Sequence, residues 1–332
     1  MMFFSIIFRT TAVLLPAVAA APQHLRFSGA YAWNTSTLAS SYINLAQASS
    51  VASAAALAQR GISSALAAFQ GSIFVRSHEL PGGSKLVDGW EQRVDKLIAD
   101  ARPLIRPGAI EAAFLGDELC CHNPACLDAT LGPVTRRLRK LWPDRSSLLI
   151  WTNECDSTIV GGHGVAPLPN RSGAIPEDLD VLSVDIYVGV GDDGFRGAAE
   201  VANVSGFLER EVFPRMRARQ RAMVVPGLFG CTNVSVCGSL DTQEARLRDK
   251  LGAYRAYLES EGRVLGLAPW HLDDRGHEPC DVRHKPKCHG CDMRLGAASF
   301  PSLMADWRAF GASIVATARG AGRSRVAALH DA

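Results

Sequence analysis

The chain has little net charge. Its 35 Lys and Arg nearly balance 33 Asp and Glu, leaving +2 at neutral pH. Strong electrostatic binding to nucleic acid or an anionic membrane needs a large excess of positive charge, so both partners are excluded. Nucleotide-cradling motifs are missing too. No phosphate loop occurs, and no G-x-G-x-x-G stands at the first strand-to-helix connection, which argues against an open dinucleotide-binding sheet. There is no G-x-S-x-G elbow to carry a serine nucleophile. Beyond the first residues, no apolar run approaches the roughly 20 residues a membrane span needs, so no stable span is expected in the mature chain. The C-terminus lacks the hydrophobic tail of a lipid-anchor signal.

What is present begins at the first residues. Arg9 is the only charge there, and an apolar stretch from Ala12 to Ala21 ends in small residues. That is the arrangement of a secretory signal peptide. Val18 and Ala20 suit the positions flanking a cleavage site, so residues 1–20 are expected to be removed. The mature protein is then secreted or extracellular. Four of the seven asparagines begin N-x-S/T sequons, Asn34, Asn170, Asn203 and Asn233, which marks a glycoprotein. In an oxidising compartment the nine cysteines are expected mainly as disulfides. Cys231 and Cys237 bracket a short loop and suit a local bridge. Cys120, Cys121 and Cys126 form one cluster, and Cys280, Cys288 and Cys291 another.

Short apolar, β-rich runs alternate with helical stretches. The candidate strands are Leu25–Trp33, Ser41–Ser49, Ile62–Phe69, Ala109–Glu118, Ser147–Glu154, Leu179–Val188, Ala222–Gly230 and Val264–Leu272. Helical periodicity marks Ser50–Arg60, Gly89–Ala101, Pro133–Leu141, Ala198–Arg217, Thr242–Ser260 and Phe300–Ala316, with Asp241 or Thr242 as N-cap of the fifth. Alternation of strands with helices implies parallel pairing, and near-continuous apolar strands imply burial on both faces. The fold class is α/β, a single (β/α)₈ TIM barrel over residues 21–318. Residues 319–332 are polar and expected as a flexible tail.

In such a barrel the chemistry sits at the C-terminal strand ends. The fourth ends Gly116-Asp117-Glu118, the fifth Thr152-Asn153-Glu154, the sixth Asp185-Ile186-Tyr187 and the eighth Trp270-His271-Leu272-Asp273-Asp274. Carboxylates with aromatic walls suit neutral sugars: the carboxylates hydrogen-bond hydroxyls or move protons, and the rings stack on apolar pyranose faces. Glu118, Asp117, Glu154 and Asp185 are the catalytic candidates. Tyr187, Trp270, His271 and Asp273 are the substrate-binding candidates. Asp117 and Glu118 point opposite ways along an ideal strand, so one is expected inward while the other caps the next helix. Glu154 precedes Cys155 in a segment suited to disulfide constraint. No cofactor is expected. The His- and Cys-rich loop 271–291 has zinc-like spacing, but disulfides are the expected fate of its cysteines, so no metal site is assigned.

An acidic residue closing strand four and an aromatic closing strand eight resemble the TIM-barrel glycoside hydrolase superfamily. The segment FLGDEL is similar to the Gly-Asp-Glu segment of secreted β-hexosaminidases. That resemblance implies Glu118 as general acid, Asp117 as the carboxylate orienting a substrate acetamido group that acts as nucleophile, and Trp270 as a wall of the sugar pocket. LGDEL, VDIY and PW at these strand ends also resemble secreted barrel proteins of plants and protists, a likeness that brings no activity. Two departures bear on mechanism. Strand seven ends Phe229-Gly230-Cys231, without the nucleophilic carboxylate of the main barrel clan, and the chitinase-type D-x-x-D-x-D-x-E run is absent. Two mechanisms remain: substrate-assisted hydrolysis through Asp117 and Glu118, or an inverting pair of Glu118 with Glu154 or Asp185. The expected function is hydrolysis of a glycosidic bond in a carbohydrate or glycan substrate. The alternative is a catalytically inactive barrel acting as an extracellular glycan-binding or interaction protein.

Overall fold

A computed structural model describes residues 21–30, 38–76, 83–121, 123–160, 174–186, 198–231, 238–270 and 294–330. Eight strands form a closed parallel barrel: β1 (Phe27–Ala30), β2 (Leu45–Ala48), β3 (Ser63–Leu66), β4 (Ile110–Asp117), β5 (Leu149–Cys155), β6 (Val181–Asp185), β7 (Arg221–Val224) and β8 (Val264–Leu267). Each strand pairs with the next in sequence, and β8 returns to β1. Every expected strand run overlaps one of these strands; β5 ends one residue past its expected run and β7 starts one residue before. The closing seam is tight: a Cβ at Gly266 would fall 1.9 Å from the Phe27 carbonyl oxygen, so only glycine lets the two backbones approach.

The helices are α1 (Val51–Gln59), α2 (Ala68–Ile73), α3 (Trp90–Ala101), α4 (Gly132–Leu141), α5 (Asp156–Val160), α6 (Ala198–Phe207), α7 (Leu240–Ser260) and α8 (Pro301–His330). Ser50 caps α1 in a reciprocal box with Ser53. The cap of α7 is Ser239, whose side chain accepts from the Thr242 amide, and neither Asp241 nor Thr242 takes that place. Thr242 therefore lies inside the first turn. Helix α2 starts where the third expected strand was to continue, because Ala and Phe serve either conformation. Helix α8 runs through residues 319–330, the segment expected as a tail. Two small antiparallel pairs decorate the barrel: Phe74–Arg76 with Ser84–Leu86, and Gly230–Cys231 with Arg294–Leu295.

Period-2 alternation along the strands divides the apolar residues into two cores. Phe27, Leu45, Ala65, Phe114, Trp151 and Met223 fill the barrel interior. Ile43, Leu66, Leu115, Ile150, Leu182 and Val224 face outward and pack under the helices. In the outer layer, Trp307 of α8 meets Tyr42 edge-on at 5.7 Å.

Charges at the N-terminal barrel end are matched. Arg26 pairs with Glu111 at the start of β4. Ser63 and the Gly108 amide also donate to Glu111, at 2.5 and 3.0 Å. Asp180, just before β6, pairs with Arg139, takes Arg145 at 2.6 Å and accepts from the Ile150 amide at 2.8 Å. Among the described residues no helix is long and apolar enough to cross a membrane.

Candidate active site

The opposite barrel end begins with an irregularity in β4. Phe114 is level with Trp151, yet Asp117 is level with Asn153. Three steps along β4 therefore match two along β5, a bulge at the strand end. Strict alternation from inward-facing Phe114 would turn Asp117 outward. The extra residue brings it back inward, opposite Asn153. Gly116 lies in the bulge, where a Cβ would meet the Leu119 side chain at 2.8 Å. Two residues on, Glu118 has φ +52°, the left-handed region, and is the one non-glycine residue there among those described. A β-substituted residue held in that region stores strain, and such positions cluster at functional sites. Glu118 is solvent-exposed, and its amide donates to the Asn153 carbonyl at 2.8 Å.

A one-way hydrogen-bond chain rises from the interior to Asp117. The Trp151 indole can only donate, and it donates to Ser183 Oγ at 2.8 Å. Ser183 then gives its proton to Asn153 Oδ1 at 2.7 Å. That orientation leaves the Asn153 amide to donate to Asp117 Oδ1, also at 2.7 Å. Asp117 thus ends the chain as an acceptor.

Asp185, on the strand β6 that pairs with β5, is nearly buried and lies close enough to Glu118 and Asp117 to feel their charges. Burial, then the charge of Glu118, then that of Asp117, push the Asp185 carboxyl up to about 8. Its buried Oδ1 has no hydrogen-bond partner among the described residues.

Glu154 is placed differently. Alternation with Asn153 turns it to the helix-facing side of β5, where it is fully buried. Its Oε2 accepts from the Cys120 amide at 2.9 Å and from Thr158 at 3.3 Å. Its Oε1 lies 3.2 Å from Thr152 Oγ1. Burial pushes its carboxyl up to about 8, against the partial relief of these donors. The structure therefore brings Asp117, Glu118 and Asp185 together and holds Glu154 behind them.

Two disulfides tie down the turn that carries Glu118: Cys120–Cys126 and Cys121–Cys155. The second joins the loop after β4 to the end of β5, directly beside Glu154. Cys237, the expected partner of Cys231, lies outside the described residues, as do Tyr187, His271, Asp273 and the sequons at Asn34, Asn170 and Asn233. Asn203 is exposed on α6 and open to modification. Trp270 follows β8 and packs against the interior cluster. Its ring meets Phe229 edge-on at 6.0 Å, and its amide donates to the Pro226 carbonyl at 3.0 Å. No group of three or more potential metal ligands occurs among the described residues. The residues sequence reasoning passed over are Asn153, Ser183 and Trp151. Their signal was register: Asn153 is the inward position level with Asp117, Ser183 is level with Asn153, and Trp151 lies one layer below.

With this geometry in hand, the chain can be set beside solved structures. A β-glucuronidase from Ruminococcus gnavus, in complex with C6-substituted uronic isofagomine, is similar over 81% of this chain and 44% of its own, with TM-score 0.52 and 11% identity. The same enzyme in complex with uronic deoxynojirimycin matches over the same shares, with TM-score 0.50 and 10% identity. The shared property is the fold. This chain has the closed barrel of these glycoside hydrolases and spans under half of their length. No family model matches the chain, and no curated protein matches it.

Proposed function

We propose that the protein is a secreted glycosidase in which Glu118 is the general acid. The observation that carries this reading is the Glu118–Asp185 carboxyl pair at the barrel mouth, with Asp117 held inward beside it by Asn153. A protonated carboxyl at neutral pH is what leaving-group protonation requires. Glu118, exposed to the mouth, delivers the proton, and the buried Asp185 resupplies it.

The substrate-assisted branch is supported by Asp117, which Asn153 holds at the mouth as an acceptor, next in sequence to Glu118. In the proposed course, Asp117 accepts the N–H of a substrate acetamido group, whose oxygen attacks the anomeric carbon. The glycosidic C–O bond breaks, and the leaving oxygen takes the Glu118 proton. Water then opens the cyclic intermediate and returns a proton to Glu118. Trp270 would wall the sugar pocket, with the substrate a glycan carrying an N-acetylated sugar.

A second reading is a silent glycan-binding barrel. It is favoured by the end of β7, where Val225-Pro226-Gly227-Leu228-Phe229 offers no carboxylate. A screen of aryl glycosides and natural glycans with wild type and Glu118→Gln separates the two. Turnover by wild type and its loss in the variant supports hydrolysis. Equal turnover by both sinks the assignment of Glu118. Binding without turnover in wild type establishes the second reading.

A further inference from the structure

Glu154 is a buried acid that faces away from the proposed chemistry, and its proton can be located by counting donors. Thr152 Oγ1 has one hydrogen. It lies 3.2 Å from Glu154 Oε1 and 3.3 Å from the Gly116 carbonyl oxygen, both acceptors if Glu154 is ionised. One hydrogen cannot serve both. If Glu154 carries a proton on Oε1, that proton goes to Thr152 Oγ1, and the threonine hydrogen goes to Gly116. Every group is then satisfied. Oε2 meanwhile accepts the Cys120 amide at 2.9 Å. Its partners are an amide and two hydroxyls, and no cation offsets an anion at this buried position among the described residues.

We infer that Glu154 is a positioning residue: a neutral carboxyl that grips the backbone on both sides of Asp117 and Glu118. It reaches Gly116 through Thr152 and Cys120 directly. The two disulfides and the Glu118 amide bond to Asn153 tether the same segment, and the carboxyl adds a hold on either side of Glu118 that helps keep it in its left-handed conformation. The consequence for catalysis rests on the glycosidase reading; the grip itself does not.

The test uses the full disulfide-bonded protein as Glu154→Gln, Glu154→Leu and Thr152→Val. Glutamine can accept from Cys120 and donate to Thr152. It should keep the Cys120 amide protected from hydrogen exchange and keep kcat within about threefold of wild type. Leucine should lose the protection and lower kcat at least a hundredfold with a smaller change in KM, as misplaced catalytic groups do. Thr152→Val severs only the Gly116 side and should fall between them, which keeps the test decisive if the leucine variant does not fold. Glutamine also cannot titrate. Its Tm should rise relative to wild type as pH increases from 5 to 8, because wild-type Glu154 loses stability while its proton is drawn off. Asp117, which faces Glu154 electrostatically, is present in both proteins and cancels in the comparison. A glutamine variant as inactive as Glu118→Gln with its Cys120 amide still protected would overturn the inference, since Glu154 would then take part in the chemistry. Full protection in both the leucine and valine variants would also overturn it. If wild type turns over no glycoside at all, the exchange and Tm measurements still decide the grip while the glycosidase reading fails.

Discussion

The two ends of the barrel use the same residue types to opposite effect. Strand β4 begins with Glu111 and ends with Asp117 and Glu118. Strand β6 is preceded by Asp180 and ends with Asp185. At the lower end each carboxylate meets arginine. Burial pushes Glu111 upward, but Arg26, Ser63 and Gly108 outweigh it and hold the group below its usual range. At the upper end the neighbours of Asp185 are other carboxyls, and its carboxyl is raised rather than lowered. The difference separates a carboxylate matched by a cation from one crowded by its own kind, although both are nearly buried.

The sharpest way to break this comparison is to remove one carboxyl from the upper end. Glu118→Gln should lower turnover by about 10²–10⁴-fold, the usual worth of a general acid, with little change in Tm. Steady-state kinetics beside a thermal melt would check it. The mirror experiment is Arg139→Ala at the lower end. It leaves the buried Asp180 with a single arginine and should cost roughly 3 kcal/mol of stability while kcat holds. Urea unfolding would measure it. A large kcat loss there would erase the distinction between the ends.

The pH responses should run in opposite directions. Asp185 is raised in the fold, so wild type loses its contribution as pH climbs from about 4 to about 8. Asp185→Asn does not titrate, and its Tm should therefore gain on wild type over that range. Glu111 is lowered in the fold, so its contribution exists above its unfolded value and disappears as pH falls through the folded one. The deficit of Glu111→Gln should be largest at neutral pH and shrink in acid. Melts from pH 3 to 9 test both signs. The smallest effect is expected from Ser183→Ala, which removes the hydroxyl that accepts from the buried Trp151 indole and donates to the Asn153 carbonyl oxygen. A loss of about 1–2 kcal/mol, read by denaturant unfolding, fits the cost of such groups.

The barrel was legible because its signals are local. Runs such as IEAAFLGD and LIWTNEC are too apolar and β-rich for anything but buried strands, and α3 shows its apolar face plainly. Rim residues were legible once strand ends were located, as Glu118 and Asp185 show. What stayed hidden depends on pairing. The inward turn of Asp117 is produced by a bulge, which is defined by the neighbouring strand. Asn153 and Ser183 look like ordinary strand residues until register sets Asn153 level with Asp117 and Ser183 one layer below Asp185. Cys121 found its partner 34 residues away across two strands, a choice that spacing alone cannot make. Glu154 and Asp185 both read as acids closing a strand, and only their faces tell them apart.

The seam between β1 and β8 has a consequence for how the molecule is made. The barrel cannot close until residues 264–267 have been synthesised, because the first strand's second neighbour is the last. Long-range pairing of this kind is slow and leaves strand edges open in the meantime. The residues of both described disulfides lie between 120 and 155, within one β4–β5 unit. That unit can be cross-linked on a nascent chain while β1 still waits for its partner. The turn bearing Glu118 is thus the part of the mouth that can mature first, with closure of the ring the last event.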